Sequence, residues 1–229
     1  MPVRIVIAGA HGQVARRLGR LLSARGDTVA GIVRNPAHVP DLTADGVEPA
    51  VLDLESASVE EVAAVVSGAD AVVFAAGAGP GSGAARKETV DRAAAVLLAD
   101  AAERTGVQRY LLVSSMGVDS VADGARPVGM DDVFIAYLQA KLAAERDVVA
   151  RPGLRTTVLR PGGLTDGPGT GRVTLQRHVE RGSIPRDDVA AVLVALLDAG
   201  GDGQVLELVE GPLPIDEAVT AALRRGGRE

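Results

Sequence analysis

Residues 3–15 read Val-Arg-Ile-Val-Ile-Ala-Gly-Ala-His-Gly-Gln-Val-Ala, an apolar run that breaks at a glycine and passes directly into a helical pattern. Few folds accommodate that succession. Gly9 frees the chain to turn off the strand, Gly12 leaves the backbone bare where another group approaches, and Ala15 is small enough for helix and strand to pack closely. The first N–H groups of such a helix are unpaired and its dipole is positive at that end, which suits an anion such as a pyrophosphate. Glycine makes up 28 of 229 residues, so this spacing recurs easily by chance. Its position after a strand, at the head of an alternating pattern, is what gives it meaning.

The alternation continues along the chain. Residues 3–8, 28–33, 47–52, 71–76 and 109–114 have the length and Val, Ile and Leu content of strands. Helical periodicity falls at 13–25, 58–67 and 86–105, with a shorter segment at 36–45. Further on come a helix at 132–150, a strand at 156–159, a helix at 186–199, a strand at 204–209 and a last helix from Ile215. Apolar strands separated by helices imply parallel pairing with right-handed crossovers, hence an α/β doubly wound parallel sheet of the Rossmann type. We read residues 1–229 as a single domain with a small C-terminal portion for the substrate. Loops rich in Gly and Pro at 76–84, 117–129 and 161–171 follow strand C-terminal ends, the edge where such sheets bind ligands.

Composition narrows the function. A net charge of -6 opposes a phosphate-tracking surface, so small molecules rather than nucleic acid are the expected partners. The chain has no cysteine, which removes disulfides, thiol catalysis and thiolate metal sites. His11, His38 and His178 lie far apart without metal-ligand spacing, and no metal is expected. The apolar runs are shorter than the ~18 residues of a membrane span and no leader pattern precedes the glycine turn, so a cytoplasmic protein, monomer or homodimer, is expected.

A second constellation is Tyr137-Leu-Gln-Ala-Lys141. A separation of four places both side chains on one helix face, with the ammonium beside the phenol. The chain has only two tyrosines and two lysines, Lys87 and Lys141, which makes a fortuitous pairing at this spacing rare. Ser114 and Ser115 supply hydroxyls at the end of the fifth strand, and Ser115, one step further out, is the better placed to face a cleft.

Together, Gly9 to Ala15, Ser114-Ser115 and Tyr137 to Lys141 resemble a short-chain dehydrogenase/reductase. The closer likeness is to the atypical NAD(P)-binding subgroup of epimerase-like proteins, which is also similar to NmrA-like and biliverdin-reductase-B-like proteins. It covers essentially the whole chain, including Leu159-Arg-Pro-Gly-Gly-Leu-Thr-Asp166. The resemblance implies Ser115, Tyr137 and Lys141 as catalytic residues, with Asp91 where the wider family usually has Asn. Asp91 is then either a member of the proton relay or a solvated helix acid. For the cofactor it implies Gly9, Gly12, Gln13 and Val14 at the pyrophosphate, Asp53 and Leu54 beside adenine, and Ala75, Ala76, Gly77, Lys141 and Pro161 toward the nicotinamide.

Cofactor choice rests on the end of the second strand. A carboxylate there would accept from the ribose 2′-hydroxyl of NAD, but the chain reads Gly31-Ile-Val-Arg34-Asn-Pro, and Arg34 offers a donor fork to a 2′-phosphate. NADP(H) is therefore expected over NAD(H). Two functions follow. One is an NADP(H)-dependent oxidoreductase moving a hydride between nicotinamide and a small carbonyl or hydroxyl substrate, with epimerisation as a variant. The other is an NADP(H)-binding redox sensor or scaffold without turnover, as the NmrA-like likeness allows.

Overall fold

A computed structural model describes residues 2–79, 81–201 and 203–226, with side chains as far as Arg224. Among the described residues, eleven strands and eight α-helices follow one another as β1 (Arg4–Ala8), α1 (Gln13–Ala24), β2 (Thr28–Val33), α2 (Val39–Ala44), β3 (Glu48–Val51), α3 (Val59–Val66), β4 (Ala71–Phe74), α4 (Ala84–Arg86), α5 (Ala94–Thr105), β5 (Arg109–Val113), α6 (Asp132–Val149), β6 (Arg155–Pro161), β7 (Gly163–Thr165), β8 (Arg172–Gln176), β9 (Ser183–Pro185), α7 (Arg186–Ala199), β10 (Gln204–Glu210), β11 (Leu213–Pro214) and α8 (Ile215–Gly226).

Nine of the strands form one sheet in the order β11-β8-β10-β6-β5-β4-β1-β2-β3. From β10 to β3 every pairing is parallel, as the sequence pattern requires of apolar strands joined by helices. Alternation along each strand divides the core between the two faces. Ile5, Ile7, Val73 and Leu111 point to the side covered by α1 and α7, while Val6, Ala8, Val72, Phe74, Tyr110 and Leu112 meet α3, α5 and α6. With only two phenylalanines and two tyrosines in the chain, this core is built from Val, Leu and Ala.

The sequence reading differs from the fold at one edge. The sequence pattern gives a loop at 161–171 and no element over 172–185, yet β8 pairs antiparallel with β10 and with β11, making the sheet mixed there. Short β7 and β9 form a separate parallel pair. Asp188, buried at the start of α7, closes this region by accepting from Thr170 and Gly171 backbone N–H groups at 2.8 and 2.9 Å.

Helix ends reveal where the fold leaves donors open. In α3, the Ser58 hydroxyl accepts from the Glu61 N–H while the Glu61 carboxylate accepts from the Ser58 N–H, a reciprocal cap. The Asp131 carboxylate caps α6 by accepting from Val133 and Phe134. At α1 the N-cap is Gly12, and no side chain caps it. The helix expected at 86–105 is interrupted as well: Lys87–Ala93 is π-helical, a rare geometry that is frequent at functional sites.

Candidate functional site

The loop from β1 to α1 is held by two backbone bonds, from Gly9 and Ala10 N–H groups to the Ile32 carbonyl of β2. Gly9 has φ +77°, and a Cβ there would stand 2.5 Å from Ala76 Cα. Both facts require glycine. Gly12 has an ordinary conformation, but a Cβ on it would lie 3.1 Å from the Gly9 carbonyl, so its bareness matters for close approach rather than for turning.

Two cavities open along the C-terminal edge of the sheet and meet at Gly12, Ala75, Ala76 and Gly77. The smaller, about 390 Å³, is walled by Gly9, Arg34, Asp53, Leu54, Glu55 and Arg86. The larger, about 820 Å³, reaches Gln13, Val14, Asp91, Ser114, Ser115, Tyr137, Lys141 and Pro161. Every residue that the sequence marked for cofactor or catalysis thus lines one of the two. The uncapped α1 terminus lies between them with its N–H donors free for an anion, so the residues present fit a dinucleotide spanning both cavities.

Lys141 is 3 % exposed. Its ammonium donates to the carbonyls of Ala76 and Val113, each at 3.2 Å, and stands 3.3 Å from Asp91 Oδ1. Asp91 is fully buried, and its second oxygen accepts from the Ala78 N–H at 3.2 Å. That burial corrects the solvated-acid alternative: Asp91 is the counter-charge of Lys141. The Tyr137 ring is half-buried in the cleft, its centroid 5.9 Å from Lys141 Nζ and 5.4 Å from Lys87 Nζ. The other tyrosine is structural. Tyr110 donates its hydroxyl to the Ala95 carbonyl, and complete burial pushes its phenol well above the ordinary range.

Of the two serines, the hydroxyl of Ser115 donates to the Met116 carbonyl at 3.1 Å, whereas the buried Ser114 Oγ has no hydrogen-bond partner. Both line the cleft. An unpaired buried hydroxyl is costly and marks a place where a ligand atom would complete the bonding. Ser114 therefore joins Ser115 as a candidate, a choice that needed the hydrogen bonds to make.

The smaller cavity holds two residues missed in the sequence. Arg34 Nη1 and Arg86 Nη2 each reach Glu55 Oε2 at 2.7 Å, and the Thr89 hydroxyl donates to Oε1 at 2.6 Å. Bonding by Arg86, then Thr89, with Arg34 nearby, holds the Glu55 carboxyl below the usual carboxylate range. A carboxylate from the loop after β3 thus stands against Arg34, together with a second arginine.

The histidines are distributed otherwise than their spacing suggests. His11 stacks on His38 with ring centroids 3.5 Å apart and bonds to Asp41 at 2.8 Å. Ligand atoms of His178, Asp119 and Glu207 lie within 4.8 Å of one another. Asp119 is already gripped through both oxygens by Arg160, and Glu207 accepts from the Val179 N–H. Arg160 also binds Glu145, which ties β6 to α6. No helix among the described residues is long and apolar enough to cross a membrane.

The NAD(P)H-binding family matches residues 9–200. A Bacillus subtilis protein named as an uncharacterized sugar epimerase, YhfK, is 34% identical over 219 residues, which cover 95% of this chain and 99% of that protein. Among solved structures, a Bacillus halodurans protein named as a candidate NAD-dependent epimerase/dehydratase is similar at TM-score 0.85 and 33% identity, covering 96% of this chain and 99% of that one. The anaerobillin reductase ChuY of Escherichia coli O157:H7 is similar at TM-score 0.77 and 28% identity, over 92% of this chain and 98% of its own. With a glycine turn, an uncapped helix terminus and a continuous cleft in the places such a cofactor demands, the chain belongs to the NAD(P)H-binding family, among relatives of the atypical short-chain dehydrogenase/reductase and epimerase group.

Proposed function

We propose that this protein is an NADP(H)-dependent oxidoreductase acting on a small carbonyl or hydroxyl compound, with Tyr137 as the proton donor and acceptor. The observation that carries the reading is the Tyr137 ring in the cleft, with the ammonium groups of Lys87 and Lys141 at 5.4 and 5.9 Å. A bound nicotinamide dinucleotide supplies or removes the hydride at the substrate carbon. The chain's residues do the remainder. Gly12, Gln13 and Val14 present the α1 terminus to the pyrophosphate, and Lys141, fixed by Asp91 and two carbonyls, stabilises negative charge on the phenol oxygen. Ser114 and Ser115 hold the substrate oxygen, a bond that strengthens as charge develops there.

The 2′-phosphate preference rests on Arg34 together with Arg86. Two guanidinium groups line the smaller cavity and share Glu55, and a 2′-phosphate bound there has the charge to draw both away from it. The names of the relatives, a sugar epimerase and an anaerobillin reductase, support a redox or epimerising reaction without choosing between them.

Tyr137→Phe separates turnover from simple binding. General acid–base transfer is worth about 10² to 10⁴ in rate, so NADPH oxidation across a carbonyl panel should fall by that factor while NADPH affinity, followed by fluorescence, stays within about twofold. Unchanged turnover removes Tyr137 from the reaction. A wild-type protein that binds NADPH but reduces nothing in the panel favours the sensor.

A further inference from the structure

Charge in the larger cleft is unbalanced. Four cationic side chains line it, Lys87, Lys141, Arg181 and Arg186, against the single carboxylate of Asp91. Asp91 is committed to Lys141 and the Ala78 N–H, and Arg186 pairs with Asp166 at 2.7 Å. Lys87 and Arg181 are left without a carboxylate among the described residues.

Lys87 is the more telling of the two. It is 7 % exposed, and its Nζ donates to the Gly79 carbonyl at 2.9 Å, a neutral partner. Buried ammonium groups are ordinarily paired, since withdrawing the charge from water is costly and a dipole repays little of it. The chain has 24 cationic side chains of which only Lys87 and Lys141 are lysines, so arginine serves at every other cationic position. Lys87 enters the cleft from the π-helical segment, on the Tyr137 side. Arg181 approaches from the connection between β8 and β9; a methyl on Gly117 would stand 3.3 Å from its Nη2, two residues beyond Ser115. No hydrogen bond or ion pair engages Arg181 among the described residues. The cleft also carries apolar surface that solvent would not select: Val133 is 40%, Phe134 45% and Leu164 41% exposed, and Phe134 stacks on Tyr137.

We infer that the cleft binds a substrate carrying an anionic group, a carboxylate or a phosphate, which completes the charge of Lys87 and Arg181 while an apolar body rests on Phe134 and Tyr137. This inference rests on the oxidoreductase reading, in which the α1 terminus takes the cofactor's own phosphates.

The test uses benzoate, phenyl phosphate and the neutral benzamide, titrated by ligand-observed NMR against the protein saturated with NADP⁺ and against the cofactor-free protein. At least one anion should bind about tenfold or more tightly than benzamide, and whichever does identifies the source of the charge. Lys87→Met should reduce that anion to the benzamide level and leave NADP⁺ affinity unchanged. Arg181→Met, on an exposed side chain, gives the same direction where the Lys87 variant fails to fold. Anions binding no better than benzamide to the NADP⁺-loaded protein, or an anion preference untouched by either variant, overturns the inference. Loss of NADP⁺ affinity in Lys87→Met with anion binding intact also overturns it, by assigning Lys87 to the cofactor. The oxidoreductase reading fails separately, if the wild-type protein takes up no dinucleotide.

Discussion

The ammonium of Lys141 and the carboxylate of Asp91 stand 3.3 Å apart, the one 3 % exposed and the other fully buried, in the floor of the cleft. Breaking such a pair from one side leaves the other charge uncompensated. Asp91→Ala should therefore cost about 3 to 5 kcal/mol of stability, measured by urea denaturation. Asp91→Asn keeps an acceptor for the Ala78 N–H and should cost less, while still loosening Lys141. A loss below about 1 kcal/mol in Asp91→Ala would show that Lys141 does not depend on the pair.

The two glycines of the turn should fail differently. Gly9→Ala sets a Cβ 2.5 Å from Ala76 Cα at φ +77°, so strain and overlap together should lower stability by about 2 to 5 kcal/mol, read as a fall in Tm. Gly12→Val meets its nearest neighbour at 3.1 Å and sits at an ordinary φ. It should leave the circular dichroism nearly unchanged and weaken NADPH binding at least about a hundredfold, because the side chain intrudes where the pyrophosphate approaches. Normal NADPH binding by Gly12→Val would place the phosphates elsewhere.

At the ribose end, Arg34→Ala and Arg86→Ala should each reduce the ratio of NADPH to NADH affinity by about tenfold to a hundredfold, the worth of one charge-assisted bond of about 1.5 to 3 kcal/mol. Glu55→Gln should move it the other way. Calorimetric titration with both cofactors checks all three, and equal affinities in the wild-type protein would remove the premise.

The same cluster has a pH signature. The Glu55 carboxyl is lowered in the folded protein, so the unfolded chain binds its proton more readily. Its contribution to stability is present above the ordinary carboxylate range and is lost as pH falls through the lowered folded value. Arg86→Ala should raise that value toward normal, visible in carboxyl carbon NMR; no movement would show that the arginine does not set it.

The parallel part of the sheet was legible because its strands are buried on both faces, and runs such as Ile5 to Ala8 or Ala71 to Phe74 carry no polar residue to blur them. At β8, Arg172-Val-Thr-Leu-Gln176 alternates between exposed and buried, the pattern of an antiparallel strand, but it lies among glycines and prolines that read as connection. Tyr137 and Lys141 were legible for a local reason, since four residues on a helix fix their relation. Glu55 and Arg86 were not. Glu55 comes from the loop after β3 and Arg86 from the end of α4, and only folding brings them to Arg34. Lys87 left a faint signal, being one of two lysines, yet its direction depends on a π-helical turn that periodicity does not disclose.

Both lysines of the chain are enclosed by the cleft, so the folded molecule offers no side-chain amine on its outer surface. Acetylation, methylation or ubiquitin transfer to lysine then has no foothold on the native protein except through the cleft itself. A ligand that fills the cleft would shield both amines at once, tying chemical modification of this chain to its occupancy.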